Sequence, residues 1–394
     1  VRGGASQVRE RVAGAGRRRL VADVPLGAFL SGGMDSSIVC AVAQDALLEE
    51  GAERLNTYSI GFPVARYDER DYAERVAKHL GTRHHFLEVE PARFDRLADI
   101  VSAFEEPFSD ASMLPSYLLA AFTRREITVS LSGDGADELF GGYYRYRVMH
   151  LLRRLSMVPR SCRVGLAAVL RKLLPRHSEE RSLWGRVRRT VDLLDTDGLE
   201  RYRRILSRFP PELRSGLYND SMREAVSGHS GETFLQEHFP EEGEMVQRIM
   251  ALDCRTYLPE DILVKVDRAS MAHGLEVRSP FLDPDVAEFA FSLPYSFKQK
   301  RCVRKRVLSA AFADRLPGEI LSRPKMGFGV PLAQWLREEW CMPARDVLLS
   351  GILDPWFEPA AVERHMDQHS DRRADHSYSI FALLVLALWL ERAG

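Results

Sequence analysis

Apolar positions in the first third of the chain fall into two alternating patterns. Gly27 to Leu30 is a short apolar run stopped by Ser31-Gly32-Gly33, and Ser36 to Leu48 then carries Val39, Val42, Ala43 and Leu47 at helical spacing. Leu55 to Phe62 (LNTYSIGF) reads as a strand. Asp68 to Leu80 reads as a helix, with Tyr72, Ala73, Val76 and Leu80 on its apolar side and Gly81 closing it. His85 to Val89 is a further strand, Ala92 to Phe104 and Leu114 to Arg125 are further helices, and Ile127 to Leu131 is an apolar strand stopped by Ser132-Gly133. Strands alternating with helices predict an α/β fold, a parallel sheet with helices on both faces. Ligands in such sheets bind beyond the carboxyl ends of the strands, where both glycine-containing stops fall.

Past Tyr146 strand signals thin out. This change in texture sets an expected boundary between an α/β core over 1–146 and a mainly helical part over 147–394. From Arg145 to Arg214 arginines outnumber acids; a solvated helical surface accounts for this, and an anion- or partner-binding surface is the alternative. A chain of 394 residues with net charge −1 suggests two domains and gives no global reason to expect nucleic acid. The longest apolar run, Phe381 to Leu390, is about ten residues and suits a buried helix rather than a membrane span. Five scattered cysteines (Cys40, Cys162, Cys254, Cys302, Cys341) without a CxxC disfavour a disulfide scaffold, a structural zinc site and an iron–sulfur cluster. No signal peptide is read before the first domain, so a cytoplasmic location is expected. A chain beginning at Val1 reads as a trimmed or partial product.

The most informative segment is Ala28 to Ser37, AFLSGGMDSS. A buried strand ends in a glycine-rich turn and enters a helix. Gly32 and Gly33 permit unusual dihedrals and close backbone approach. The amides of the turn and of the helix start would face one anion, with the helix dipole assisting. Ser31, Ser36 and Ser37 add hydroxyls. Asp35 beside a phosphate site is repulsive unless a cation lies between, which points to Mg²⁺. The GK[ST] ending of a Walker A loop and the G-x-G-x-x-G of a dinucleotide fingerprint are both missing. SGGMDSS matches instead the loop of N-type ATP pyrophosphatases, which cleave ATP between the α and β phosphates.

A second loop, Ser132-Gly133-Asp134-Gly135-Ala136-Asp137-Glu138, places three acids within five positions at another strand end. Acids this close repel unless they are divided between tasks or share a metal. A helix start with capping and first-turn acids explains Asp137 and Glu138 but not the Ser-Gly-Asp-Gly turn itself.

Together the two loops resemble those of the synthetase domain of glutamine-dependent asparagine synthetases. The resemblance extends through RRRLVADVP at 17–25, YSIGF at 58–62, YDE at 67–69, His84-His85, EEPFSDAS at 105–112, TYLPEDILVKVDRASMA at 256–272, EVRSPFLD at 276–283 and RPKMGFGVP at 323–331. Only the region around 150–245 lacks a clear match. The family's N-terminal glutaminase, whose nucleophile is its first cysteine, has no counterpart here; Cys40 sits inside the helix after the phosphate loop and reads as a small buried residue.

The resemblance implies an ATP-dependent amide-forming ligase. ATP activates the side-chain carboxylate of aspartate as an acyl-adenylate, pyrophosphate leaves, and ammonia gives asparagine and AMP. It implies adenosine contacts from the backbone of Leu30 and Ile60, phosphate contacts from Ser31, Gly32, Gly33, Ser36 and Ser37, and nucleotide or pyrophosphate contacts from Ser132 and Gly133. Asp35 and Asp137 would ligate Mg²⁺. Asp134 stands where some members carry a glutamate that helps deprotonate ammonium, and it is one methylene shorter. Lys325 would stabilise pyrophosphate or the transition state. Lys265, Asp267 and Arg268 are open between an ion-pair cluster and direct contact; Arg278 is similar, and His84 and His85 read as structural. Expected partners are aspartate or a similar carboxylate and ammonia, supplied free or by a glutaminase domain or subunit, with a homodimer as a compatible assembly. The alternatives are the same chemistry on another carboxylate, as in β-lactam synthetase-like or natural-product amidotransferases, and a non-catalytic homologous subunit.

Overall fold

The computed structural model describes residues 2–62, 64, 68–89, 94–174, 183–228, 231–300, 303–323 and 327–393. Its chain divides into two units, one built from Val1–Ala92, Ser112–Tyr143 and Met250–Val330, the other from Arg93–Ala111, Tyr144–Ile249 and Pro331–Gly394.

The first unit holds the parallel sheet that the alternating pattern predicts. Strands β1 (Leu26–Phe29), β2 (Asn56–Gly61), β3 (Arg83–Glu88), β4 (Val129–Leu131) and β5 (Glu276–Arg278) lie in the order β3-β2-β1-β4-β5. All four pairings are parallel; β1 sits centrally, with Ala28 beside Thr57 on one side and Leu131 on the other. The chain therefore builds outward from β1 to β3, then returns to lay β4 against the other edge of β1. That reversal opens a crevice beyond the ends of β1 and β4, the topological switch point at which such sheets bind ligands.

The helices of this unit include α1 (Arg2–Arg19), α2 (Met34–Glu49), α3 (Arg70–Leu80), α4 (Met113–Thr123), α5 (Ala136–Phe140), α6 (Val264–Met271), α7 (Pro284–Ser292) and α8 (Arg306–Ala311). Ala5, Val8, Val12 and Ala15 form a buried stripe on α1, at spacings of three and four, packed with Ile38, Val42, Val286 and Leu308. The arginine run that follows is a clamp. Arg19 meets Asp283 at 2.7 Å, Arg18 meets it at 2.8 Å, and the same carboxylate accepts from the N–H of Asp285 to cap α7. Arg278 donates to the carbonyls of Arg19 and Val21 and so ties β5 to the end of α1. His84 lies between Thr57 and Ser59 Oγ atoms at 3.0 Å each, and His85 stacks on Tyr58. Strand β3 starts two residues before the expected His85 because this pairing recruits Arg83 and His84 to the ladder.

The second unit is helical. The expected helix at Ala92 to Phe104 is shorter among the described residues, a 3₁₀ turn at Phe94–Arg96 followed by Leu97–Ser102. Two residues of the basic stretch turn inward. Arg201 donates to the carbonyls of Leu152, Leu193 and Thr196, Arg163 donates to those of Val158 and Leu194, and both reach Asp197. They satisfy carbonyls that helix ends leave without partners. The apolar run from Phe381 lies in the helix Ser377–Ala393, with Phe381, Leu384 and Val385 buried. Among the described residues no helix is long and apolar enough to cross a membrane.

This unit also buries two imidazoles, His365 and His369, beside the half-buried His376. His365 and His376 stack at 3.7 Å, His365 meets Ser379 Oγ at 2.7 Å, and the backbone N–H of His376 donates to His369 Nδ1 at 3.1 Å. Burial, reinforced by His376 and His369, lowers the His365 pKa to about 3. Burial and Arg337 lower that of His369 to about 4 against the opposing pull of Asp375. An unfolded imidazole titrates near 6.5, so the unfolded chain takes up protons first as the pH falls. The stability present above pH 6.5 is then lost towards pH 4, on the order of 3 kcal/mol by pH 5. Hydrogen exchange in the helices Pro359–Ser370 and Ser377–Ala393, corrected for the intrinsic rate, is expected to speed up between pH 7 and pH 5. Protection that stays constant over that range would refute the coupling.

Candidate active site

The two glycine-containing loops meet at the crevice. Leu30, buried behind β1, donates its N–H to the carbonyl of Tyr58 at 2.9 Å, and Ile60 is buried in the neighbouring strand. The Ser31-Gly32-Gly33 turn then delivers the chain to α2. Gly32 has φ +68°, and a Cβ there would lie 2.5 Å from the backbone of Tyr72 and Ala73, so this position admits only glycine. The hydroxyls brace the turn. Ser31 Oγ and Ser36 Oγ lie 3.1 Å apart, the N–H of Gly33 donates to Ser31 Oγ at 3.3 Å, and the Ser37 hydroxyl donates to the Gly33 carbonyl at 2.7 Å. Ser37 is fully buried, whereas Ser31 is half-buried.

From β4, Ser132 donates its N–H to the carbonyl of Arg278 at 2.9 Å. Gly133 follows directly against the start of α2, where a Cβ would stand 2.9 Å from the Asp35 Cβ and the Ser36 nitrogen. The two loops can touch because this residue has no side chain. Asp134 is half-buried, and its backbone carbonyl accepts from the Ser279 hydroxyl at 2.6 Å. Gly135, at φ +85°, turns the chain into α5, which carries the buried Asp137 and Glu138. Glu138 accepts from the Tyr143 hydroxyl at 2.5 Å.

Asp35 and Asp137 come from different loops and converge on one cation. The ammonium of Lys305 pairs with Asp35 Oδ2 and lies 2.5 Å from Asp137 Oδ1. Lys305 is 5% exposed and holds a left-handed backbone, φ +46° and ψ +39°, at the start of α8. That conformation costs a non-glycine residue about 1–3 kcal/mol and persists only where its surroundings enforce it. Burial draws the ammonium below the usual lysine pKa, against the opposing pull of Asp35 and Glu138. A Cβ on Gly142 would fall 1.7 Å from Asp137 Oδ1 and 2.2 Å from Lys305 Cε, so the absence of a side chain there leaves room for the pair. Among the described residues Asp35 Oδ1 is buried and accepts no hydrogen bond, a lone pair set suited to a further cation or donor. The donor set therefore fits a divalent ion held by two carboxylates and completed by ligand oxygens, the usual arrangement for Mg²⁺ with phosphates.

Lys325 lies outside the described residues. Lys265, at the start of α6, is mostly buried and approaches Asp261, in the turn before that helix, at 4.0 Å. Cys40 is fully buried in α2, and burial raises its thiol pKa. Lys305 is the residue that the reading of motifs passed over. One signal was present: Arg304-Lys305-Arg306 puts three bases at a helix start, where the dipole disfavours them unless acids stand opposite.

A family model described as asparagine synthase matches residues 7–391. A putative glutamine-hydrolysing asparagine synthetase of Mycobacterium tuberculosis is 35% identical over 383 residues, 94% of this chain and 55% of the relative. Glutamine-hydrolysing asparagine synthetase 1 of Bacillus subtilis is 30% identical over 389 residues, 97% and 58% of the respective chains. A protein of Gibberella zeae named amidase chry2 is 24% identical over 364 residues, 83% of this chain and 52% of its own. The chain thus spans about half the length of the curated relatives it matches.

Proposed function

The chain belongs to the asparagine synthase family, and on that basis we propose that it is an ATP-dependent amide-forming ligase acting on the side-chain carboxylate of aspartate. The observation that carries this reading is the meeting of Asp35 and Asp137, from two strand-end loops, at one buried positive charge beside the serine and glycine turn. A carboxylate oxygen of aspartate attacks the α-phosphorus, the bond to the bridging oxygen breaks, and pyrophosphate leaves. Ammonia then attacks the acyl carbon of the adenylate; AMP leaves and the amide remains.

Leu30 and Ile60 border the nucleoside through backbone groups. Ser31, Gly32, Gly33 and Ser36 hold the phosphates, with Ser37 keeping the turn in shape, and Ser132 and Gly133 line the opposite side. Asp35 and Asp137 would hold Mg²⁺, which when bound offsets phosphate charge. Lys305 adds a fixed positive charge beside the leaving pyrophosphate, and we assign Lys325 to the same task. Asp134 receives a proton from the incoming ammonium. Rate acceleration comes chiefly from positioning and preset charge.

The test is pyrophosphate release from ATP with aspartate and either ammonium or glutamine. Release that depends on aspartate is expected, with ammonium as a sufficient nitrogen source. The amidase-named relatives support a second reading, the same activation on another carboxylate. Faster release with another acid from a panel would establish that reading and overturn aspartate as the substrate.

A further inference from the structure

Arg323 is buried, its side chain 6% exposed, yet its guanidinium serves a loop carbonyl. Nη1 donates to the carbonyl of Gly32 at 3.2 Å, Nη2 donates to Glu69 at 2.9 Å, and the guanidinium lies 3.8 Å from the centre of the Tyr72 ring. Its own carbonyl accepts from Arg304, which also donates to the carbonyl of Gly142 beside Asp137. Arg323 is thus braced by Glu69, the residue before α3, by Tyr72 within that helix, and by Arg304, the residue before Lys305.

A trans peptide points its C=O and N–H in opposite directions. With the Gly32 carbonyl turned to Arg323, the N–H of Gly33 faces the other way, towards Ser31 Oγ and its neighbour Ser36 Oγ. That is the side on which the turn offers its donors. The peptide between Gly32 and Gly33 has a glycine at each end, so it can flip at little steric cost. A flip would carry φ of Gly33 from −80° to about +100°, a region that glycine enters freely and other residues avoid. It would also aim a carbonyl oxygen at the anion.

We propose that Arg323 is a positioning residue, which grips the Gly32 carbonyl and so holds the Gly32–Gly33 peptide in its anion-binding orientation. The proposal rests on the reading of this turn as a phosphate site. It predicts a specific coupling. Arg323→Met keeps bulk but loses the donors, and Mg²⁺-ATP affinity, measured by calorimetry, should fall about tenfold or more, as for a charged hydrogen bond. Gly33→Ala permits the native φ but resists the flipped one, and its Cβ would meet only the movable Ser31 Oγ at 3.2 Å. In the Gly33→Ala background the same change at Arg323 should therefore cost about threefold or less. A ligand-free crystal structure of R323M should show the peptide flipped or in two orientations. An unflipped peptide in R323M overturns the proposal, as does a loss of equal size in both backgrounds, which would mark a charge effect alone. If the unsubstituted protein binds no ATP, the nucleotide reading fails, and the R323M crystal structure still decides whether Arg323 sets the peptide.

Discussion

Lys305→Met is expected to slow pyrophosphate release by about a thousandfold, the scale seen when a preset charge is removed from a developing anion. The same change should tighten the binding of Mg²⁺ alone about tenfold, because it leaves two carboxylates facing one another without their shared counter-charge. The two effects have opposite signs, and a fold that was merely damaged would not produce both. Asp137 and Lys305 are 9% and 7% exposed at their side chains, so removing one partner leaves a nearly buried charge. That costs about 3–5 kcal/mol where nothing replaces it. Thermal stability without Mg²⁺ should fall, and added Mg²⁺ should restore more of it than it adds to the unsubstituted protein. Lys305→Arg should not rescue activity, since the stem already packs where a Gly142 Cβ would stand and the wider guanidinium has no room. Turnover within about tenfold of the parent in K305M would remove Lys305 from the site.

The second large effect concerns the carboxylates. Asp35→Asn and Asp137→Asn keep the volume and discard the charge. Each should lower single-turnover pyrophosphate release by about a thousandfold, and the double variant should be little worse than either single one, as for groups that act as a unit. Their common contact with Lys305 is the reason to expect this non-additivity. Losses that multiply in the double variant, or an Asp137→Asn enzyme with near-parental release beside an inactive Asp35→Asn, would show that the two acids serve different partners.

Much of the α/β unit is legible from local pattern. The β1 run with its Ser31-Gly32-Gly33 stop and the helix behind it, the LNTYSIGF strand and the ITVSL strand all appear within a residue or two of their expected bounds, because each is a contiguous block whose period reports its own buried face. The stripe Ala5, Val8, Val12 and Ala15 was equally periodic, but four glycines and an arginine run obscured it. Strand β5 offered no hydrophobic period to read. It is three residues, Glu276–Arg278, with one apolar position, and it is a strand because the open edge of β4 supplies its hydrogen bonds.

The sequence by itself determined the chemistry on offer: serine and glycine turns at strand ends, acids beside them, and a family resemblance that the comparisons bear out. What it left open was which charges meet. Arg163 and Arg201 belong to the arginine-rich stretch that reads as solvated surface, and Lys305 drew no reading at all, yet each is buried. Only the tertiary structure decided this. Hydrophobic periodicity records how a segment faces its immediate surroundings, whereas the convergence of Asp35, Asp137 and Lys305 follows from strand order, a left-handed turn and the missing side chain of Gly142, none of which leaves a periodic trace.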